Sequence, residues 1–149
     1  MSDIILQKEV YETVCIKKHD GEILSQFSFN PSDANIVERY DDFIAGLQEL
    51  VDKIADYEKA NANKSKHEQA KGMLEAINKE IHEKVDTLLN AKVSQDIFSV
   101  MGALSPLPSC DYYFTFIVEQ IGNKINNATG QRVKKIEMKI KKHTAKYHG

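Results

Sequence analysis

The sequence predicts an α+β protein that is mostly α, with an N-terminal β-hairpin followed by a long αα-hairpin, a short helix and a basic C-terminal helix. Two alternating apolar and polar runs on either side of Asp20-Gly21 predict the hairpin. Two long stripes of apolar residues, spaced three and four apart, predict the paired helices. With 149 residues, of which 42% are hydrophobic, residues 1–149 are expected to form a single domain.

The hairpin prediction covers residues 1–30. Residues 10–18 and 23–29 flank Asp20-Gly21, a dipeptide typical of a two-residue turn, and this places Val14 opposite Phe27. The expected apolar face carries Val14, Ile16, Ile23, Phe27 and Phe29. The expected polar face carries Thr13, Cys15, Lys17, Gln26 and Ser28, with the apolar Leu24 as the exception. Because an isolated hairpin is only marginally stable, the apolar face should pack on a helix or on more strands, and the expected partner is the αα-hairpin of residues 31–60 and 65–90. Residues 4–6 could supply a third short strand.

The αα-hairpin prediction covers residues 31–90. Asn30 is expected to cap the first helix, with Pro31 at its first position, and residues 31–60 are expected to be helical throughout. A polar link follows, and Ser65 is the expected cap of a second helix over residues 65–90. Since the link is short, the two helices should be antiparallel. The stripes comprise Ile36, Tyr40, Phe43, Ile44, Leu47, Leu50, Val51, Ile54 and Tyr57 in the first helix, and Ala70, Met73, Leu74, Ile77, Ile81, Val85, Leu88 and Leu89 in the second.

The prediction for residues 91–149 is a short helix, a proline-containing loop and a basic helix. The short helix should cover residues 94–101, with Ile97, Val100 and Met101 buried. The loop follows at residues 102–110. Residues 112–118 are dense enough in aromatic and β-branched side chains for a strand, but the spacing of Ile117 and later apolar residues favours a helix.

Charge is unevenly distributed along the chain. The net charge is −2, but residues 124–149 contain eight basic residues and one acid, so they carry +7 and the preceding residues carry −9. An acidic body with a basic tail indicates charge pairing within or between molecules, or an anionic partner.

The sequence contains no pattern that predicts catalysis. No glycine-rich loop suits a phosphate, and the histidines and cysteines do not have the spacing of a metal site, so no catalytic residue, cofactor or metal is expected. Cys15 and Cys110 are expected to be free thiols in a reducing cytoplasm. No apolar run is long enough to span a membrane, and the first residues lack the basic region of a signal peptide.

Two segments are candidates for binding a partner. The aromatic cluster at residues 112–116 is expected in the core or at a protein interface, in preference to stacking on bases. The basic tail could bind phosphates, but a helix that docks on an acidic protein is favoured. The candidate partner-binding residues are Tyr112, Tyr113, Phe116, Arg132, Lys134, Lys135, Lys139, Lys141 and Lys142.

Several of these features together resemble the tail assembly chaperones, which are small tail proteins of long-tailed bacteriophages and prophages. The resemblance is carried by the segment Phe27-Ser28-Phe29-Asn30-Pro31-Ser32-Asp33-Ala34-Asn35, the acidic amphipathic helix after it, Asp96-Ile97-Phe98, the aromatic residues 112–117, and the lysine-rich end with Lys146-Tyr147. It covers most of the chain.

The resemblance implies a non-enzymatic helical adaptor without a cofactor. Such a protein would bind the tape measure protein and the tail tube protein in the cytoplasm of the bacterial host while the tail is built, and it could form homo-oligomers. The alternative from another class is a nucleic-acid-binding regulator that uses residues 131–146. The charge of −9 on the preceding residues argues against this alternative by repelling phosphates.

Overall fold

The computed structural model describes residues 1–109 and 111–129 and shows a hairpin followed by helices. The strands are β1 (Glu12–Lys17) and β2 (Ile23–Phe29). The helices are α1 (Ile36–Ala45), α2 (Leu47–Asn61), α3 (His67–Leu89), α4 (Ser94–Phe98) and α5 (Tyr113–Thr129). The predicted α+β, mostly helical fold class is confirmed. The basic segment predicted beyond α5 lies outside the described residues.

The hairpin has the predicted register, with Val14 opposite Phe27, but its turn differs from the prediction. The Lys18 N–H donates to the Glu22 carbonyl at 2.9 Å, so the loop contains three residues, and Gly21 adopts a φ of +94°. The register shifts after Ile16, and Lys17 therefore pairs with Ile23. Because such a shift moves a side chain to the opposite face, Ile23 is 57% exposed, and its predicted place on the apolar face is wrong.

The rest of the hairpin has the predicted faces. Phe27 and Phe29 are buried in the core, and Val14 and Ile16 are half-buried beside them. The predicted polar face is exposed along both strands. Residues 4–6 do not form the third strand that was considered, and they lie exposed ahead of the hairpin.

The predicted first helix starts later and is interrupted once. Asn30 Oδ1 accepts the Ser32 N–H at 3.0 Å, and Asp33 Oδ1 accepts the Asn35 N–H at 2.9 Å. These side chains fold the chain into turns before the helix, so the predicted cap at Asn30 and helical start at Pro31 are wrong. Gly46, with φ −87° and ψ −5°, interrupts the regular helix for one residue and separates α1 from α2.

The αα-hairpin is antiparallel, as predicted. Arg39 Nε donates to the Leu88 carbonyl at 2.9 Å, and Lys53 Nζ lies 2.7 Å from Glu80 Oε1. The chain therefore runs in one direction through α1 and α2 and in the opposite direction through α3. The two predicted stripes meet here, with Val51, Tyr57, Met73 and Leu74 half-buried and the other members buried. Ser65 is not the cap, because Asn63 Oδ1 accepts its N–H and its hydroxyl.

The short helix α4 begins where predicted and ends earlier. Asp86 Oδ1 accepts the N–H groups of Val93 and Ser94, at 2.9 and 2.8 Å, which satisfies donors at the helix start. Ile97 is fully buried, but the helix ends at Phe98 and Met101 is 38% exposed, which corrects its predicted burial. The Ser99 hydroxyl donates to the Asp96 carbonyl at 2.8 Å, and this bond competes with the next helical hydrogen bond.

The core joins the hairpin to all five helices. Its buried residues form one cluster that runs from Phe27 to Ile125, and the hydroxyl of the buried Tyr40 donates to the Val118 carbonyl at 3.1 Å. Residues 113–118 belong to helix α5, so the strand alternative for them is wrong. Within the described parts of the chain, no helix has the length and apolar character needed to cross a bilayer.

Candidate functional site

The structure separates the predicted aromatic cluster into core and surface residues. Tyr112 and Tyr113 are buried: the hydroxyl of Tyr112 lies 3.3 Å from Glu58 Oε1, and that of Tyr113 donates to the Ile97 carbonyl at 2.8 Å. Burial also raises the pKa of Tyr113 to about 12. These two tyrosines therefore lie in the core of the single chain, and their role in binding a partner stays a prediction.

Phe116 is the predicted aromatic contact that remains on the surface, with 41% of its side chain exposed. The basic candidates lie outside the described residues, and they are Arg132, Lys134, Lys135, Lys139, Lys141 and Lys142. Ile117, Ile121 and Ile125 form a buried stripe along α5. Phe116 directly precedes Ile117, so its side chain lies at the edge of this stripe.

Phe116 lies at a cleft between β1 and α5, which we call the hairpin groove. The groove has a volume of about 520 Å³. Its apolar lining consists of Val14, Ile16, Phe27, Phe116, Ile117 and Ile121, and its polar lining includes Lys17, Gln120 and Lys124. Val14 and Ile16 are only half-buried because the hairpin and α5 do not close over them. The groove therefore combines an apolar floor with a partly basic rim.

One end of the groove is bridged by an ion pair between β1 and α5. Lys124 Nζ lies 3.2 Å from Glu12 Oε1, and the two side chains are 35% and 43% exposed. An ion pair this exposed contributes little to stability, typically under about 1 kcal/mol. It links the two elements at this end of the groove and leaves the space between them open.

The hairpin groove also borders a free strand edge. Residues of both faces of β1 line it, from Thr13 to Lys17, so the edge of the strand points into the cleft. Among the described residues, β1 pairs with β2 alone. Backbone groups along such an edge can pair with an added strand. An apolar floor beside an open edge suits an extended protein segment, which would gain main-chain hydrogen bonds and side-chain burial together.

A serine, a histidine and an aspartate meet elsewhere, but their geometry stabilises a helix start. Ser94 Oγ lies 3.1 Å from His82 Nδ1 and donates to Asp86 Oδ2 at 3.0 Å. In a hydrolytic triad the histidine lies between the serine and the acid, whereas here the serine lies between the other two. Ser94 is also buried, and Asp86 is occupied by backbone donors.

A second cleft and the possible metal ligands were also considered as sites. A cleft of about 390 Å³ between α1 and α3 is lined mainly by charged residues, and its Arg39 already binds Asp33 and the Leu88 carbonyl. In the parts of the chain that the structure describes, no group of three or more His, Cys, Asp or Glu side chains could hold a metal ion.

Comparison of the chain with known protein families, curated proteins and solved structures finds no match. The function of the chain is therefore inferred from its residues and from the hairpin groove. Sequence reasoning missed the groove because β1 and α5 are about a hundred residues apart in the chain. The available signal was the position of Phe116, a large aromatic residue just outside the apolar stripe of its helix.

Proposed function

We propose that this chain is a non-enzymatic tail assembly chaperone of a long-tailed bacteriophage or prophage. It acts in the cytoplasm of the bacterial host as an adaptor for the tape measure protein and the tail tube protein. The resemblance of its segments to that class of protein supports the proposal, as does the mostly helical fold of the described residues. The hairpin groove is the observation that carries it.

The groove supports binding of protein in preference to other ligands. Its apolar floor and exposed aromatic ring favour burial of apolar side chains, and aromatic residues are common anchors of protein interfaces. Its free β1 edge recognises a polypeptide backbone, which a small molecule or a nucleic acid does not offer. A partner segment with apolar residues at alternate positions would place them on Val14, Ile16 and Phe116.

The test is co-expression with the tape measure and tail tube proteins of the same phage or prophage. The expected result is co-purification with the tape measure protein, lost on Phe116→Asp because this substitution puts a charge into the apolar groove. Leu24→Asp is the matched control, since Leu24 lies outside the groove and is 44% exposed, against 41% for Phe116. Failure of the unmodified chain to co-purify when both proteins are soluble would contradict the proposal, as would neighbouring genes without tail proteins.

A further inference from the structure

An exposed apolar segment precedes the hairpin. In residues 1–7, which we call the arm, Ile4, Ile5 and Leu6 are consecutive and are 95%, 88% and 56% exposed. Three adjacent large aliphatic side chains in water are unfavourable, and contiguous exposed apolar surface usually marks an interaction site. The same molecule carries an open apolar groove beside a free strand edge. The two surfaces are chemically complementary.

We propose that the hairpin groove of one copy binds the arm of a second copy, which adds to β1 as a third strand. The inference builds on the proposed role of the groove as a protein-binding surface, but it needs no other tail protein. Reciprocal exchange of arms gives a symmetric dimer in which each copy supplies both a groove and a segment.

The spacing in the arm fits the groove. Successive side chains of a strand point to opposite faces, so Ile4 and Leu6 share one face and Ile5 lies on the other. With Ile4 and Leu6 on the floor beside Val14 and Ile16, Ile5 falls on the outer face of β1, where Cys15 is exposed. Asp3, next to Ile4, brings a negative charge to the part of the rim that carries Lys17.

The arm that fills the groove comes from a second copy because the chain's own arm does not reach it. A 3₁₀ turn at Lys8–Val10 and the extended Tyr11 join the arm directly to β1. To lie on the edge of its own strand, the arm would have to reverse direction within this connection. Among the residues that the structure describes, nothing covers the arm or closes the groove. Exchange between copies buries both surfaces without changing the fold of either one.

Disulfide trapping with the native Cys15 tests the pairing. In a Cys110→Ser background, single cysteines are placed at Asp3, Ile5 or Gln7, and separately at Ile4 or Leu6. At least one position of the first set should give a disulfide-linked dimer on mild oxidation, because those side chains share the face of Cys15. The second set should not, since it faces the floor, and the parent with Cys15 alone is the control. Absence of dimers, dimers without this alternation, or a disulfide within one chain would overturn the proposal.

Sedimentation provides an independent measurement. The Ile4→Asp, Leu6→Asp double variant should raise the dimer dissociation constant about tenfold or more, since charges would enter the apolar floor. A Ser2→Asp, Gln7→Asp double variant adds the same charge to the same arm and should dimerise normally. The arm is exposed in the single copy, so both variants should fold. An unmodified chain that is monomeric at all concentrations would overturn the proposal, as would equal effects of the two double variants.

The two proposals fail separately. The Ile4→Asp, Leu6→Asp variant leaves the groove intact and should still co-purify with the tape measure protein, whereas Phe116→Asp should lose both dimerisation and co-purification. Arm dimers without co-purification would refute the phage role alone. Co-purification that depends on Phe116, without arm dimers, would refute the arm exchange alone.

Discussion

Single side chains on the hairpin show how strand alternation determines burial. Phe27 is 5% exposed, and its ring lies 6.1 Å from that of Phe29, whereas Lys17 on the opposite face is exposed. Phe27→Asp should lower the free energy of unfolding by about 3–5 kcal/mol, because it removes a buried ring and buries a charge. Lys17→Asp should lower it by less than about 1 kcal/mol. Thermal melts of the two variants would check this, and equal losses would show that the faces are wrongly assigned.

Tyr113 links a buried hydroxyl to alkaline stability. Its pKa is raised from 10.0 to about 12 by burial, and in the unfolded chain it would return to its ordinary value. The tyrosine therefore contributes stability that is complete below pH 10 and is lost as the pH rises through 12. Compared with Tyr113→Phe, the unmodified chain should lose more melting temperature between pH 9 and pH 11. Parallel losses in the two proteins would contradict an effect of Tyr113.

At the residue scale, sequence reasoning works where the period of burial is clear and fails where side chains have alternative partners. Strand alternation allows only one assignment of the hairpin's two faces. The place of Val14, Phe27 and Phe29 on the apolar face was therefore predictable. The cap at Asn30 was not, because an asparagine side chain can close a turn as readily as it can cap a helix. Tyr112 and Tyr113 were ambiguous, since a tyrosine cluster suits a core and an interface equally well.

At the scale of elements, two glycines with different surroundings should respond oppositely to alanine. Gly72 lies inside α3, and a Cβ there would meet no atom within 4 Å. Gly72→Ala should therefore stabilise the protein by about 0.5–1 kcal/mol. Gly21 has a φ of +94°, so Gly21→Ala should destabilise it by about 1 kcal/mol or more. Chemical denaturation of both variants checks the signs, and destabilisation by Gly72→Ala would show close packing at that helix.

The antiparallel pairing of the helices in the αα-hairpin was predictable because both predicted helices carry a long apolar stripe. Their ends were less predictable. Gly46 interrupts the first helix by one residue, and a Cβ there would lie 2.9 Å from Lys84 Nζ of α3. This close approach depends on how the helices pack, so no pattern within residues 31–60 reveals it. The shifted pairing that exposes Ile23 likewise depends on the geometry of the loop.

At the scale of the whole molecule, the hairpin groove results from the relative placement of two distant elements. The sequence predicts that the hairpin packs on the αα-hairpin of residues 31–60 and 65–90. Phe27 and Phe29 share the core cluster with those helices, but β2 lies mainly against α4, where the Ser25 hydroxyl donates to the Asp96 carbonyl at 2.7 Å. No local sequence pattern predicts the gap between β1 and α5. Val14 and Ile16 would show the same apolar alternation whether a helix buried them fully or only in part. The exposed arm was visible in the sequence as an apolar run, but its exposure follows only from the structure.

The shared core predicts that hairpin and helices unfold together. A two-stranded hairpin is not stable alone, and Phe27 and Phe29 lie in the same cluster as the buried residues of the helices. The chain has no tryptophan, so Tyr11→Trp, immediately before β1 and half-exposed, adds one fluorescent reporter of the hairpin. During urea denaturation, its fluorescence and the far-ultraviolet circular dichroism of the helices should have the same midpoint. A fluorescence transition at lower urea would mean that the hairpin detaches first, and the hairpin groove would then lose its β1 wall before the helices unfold.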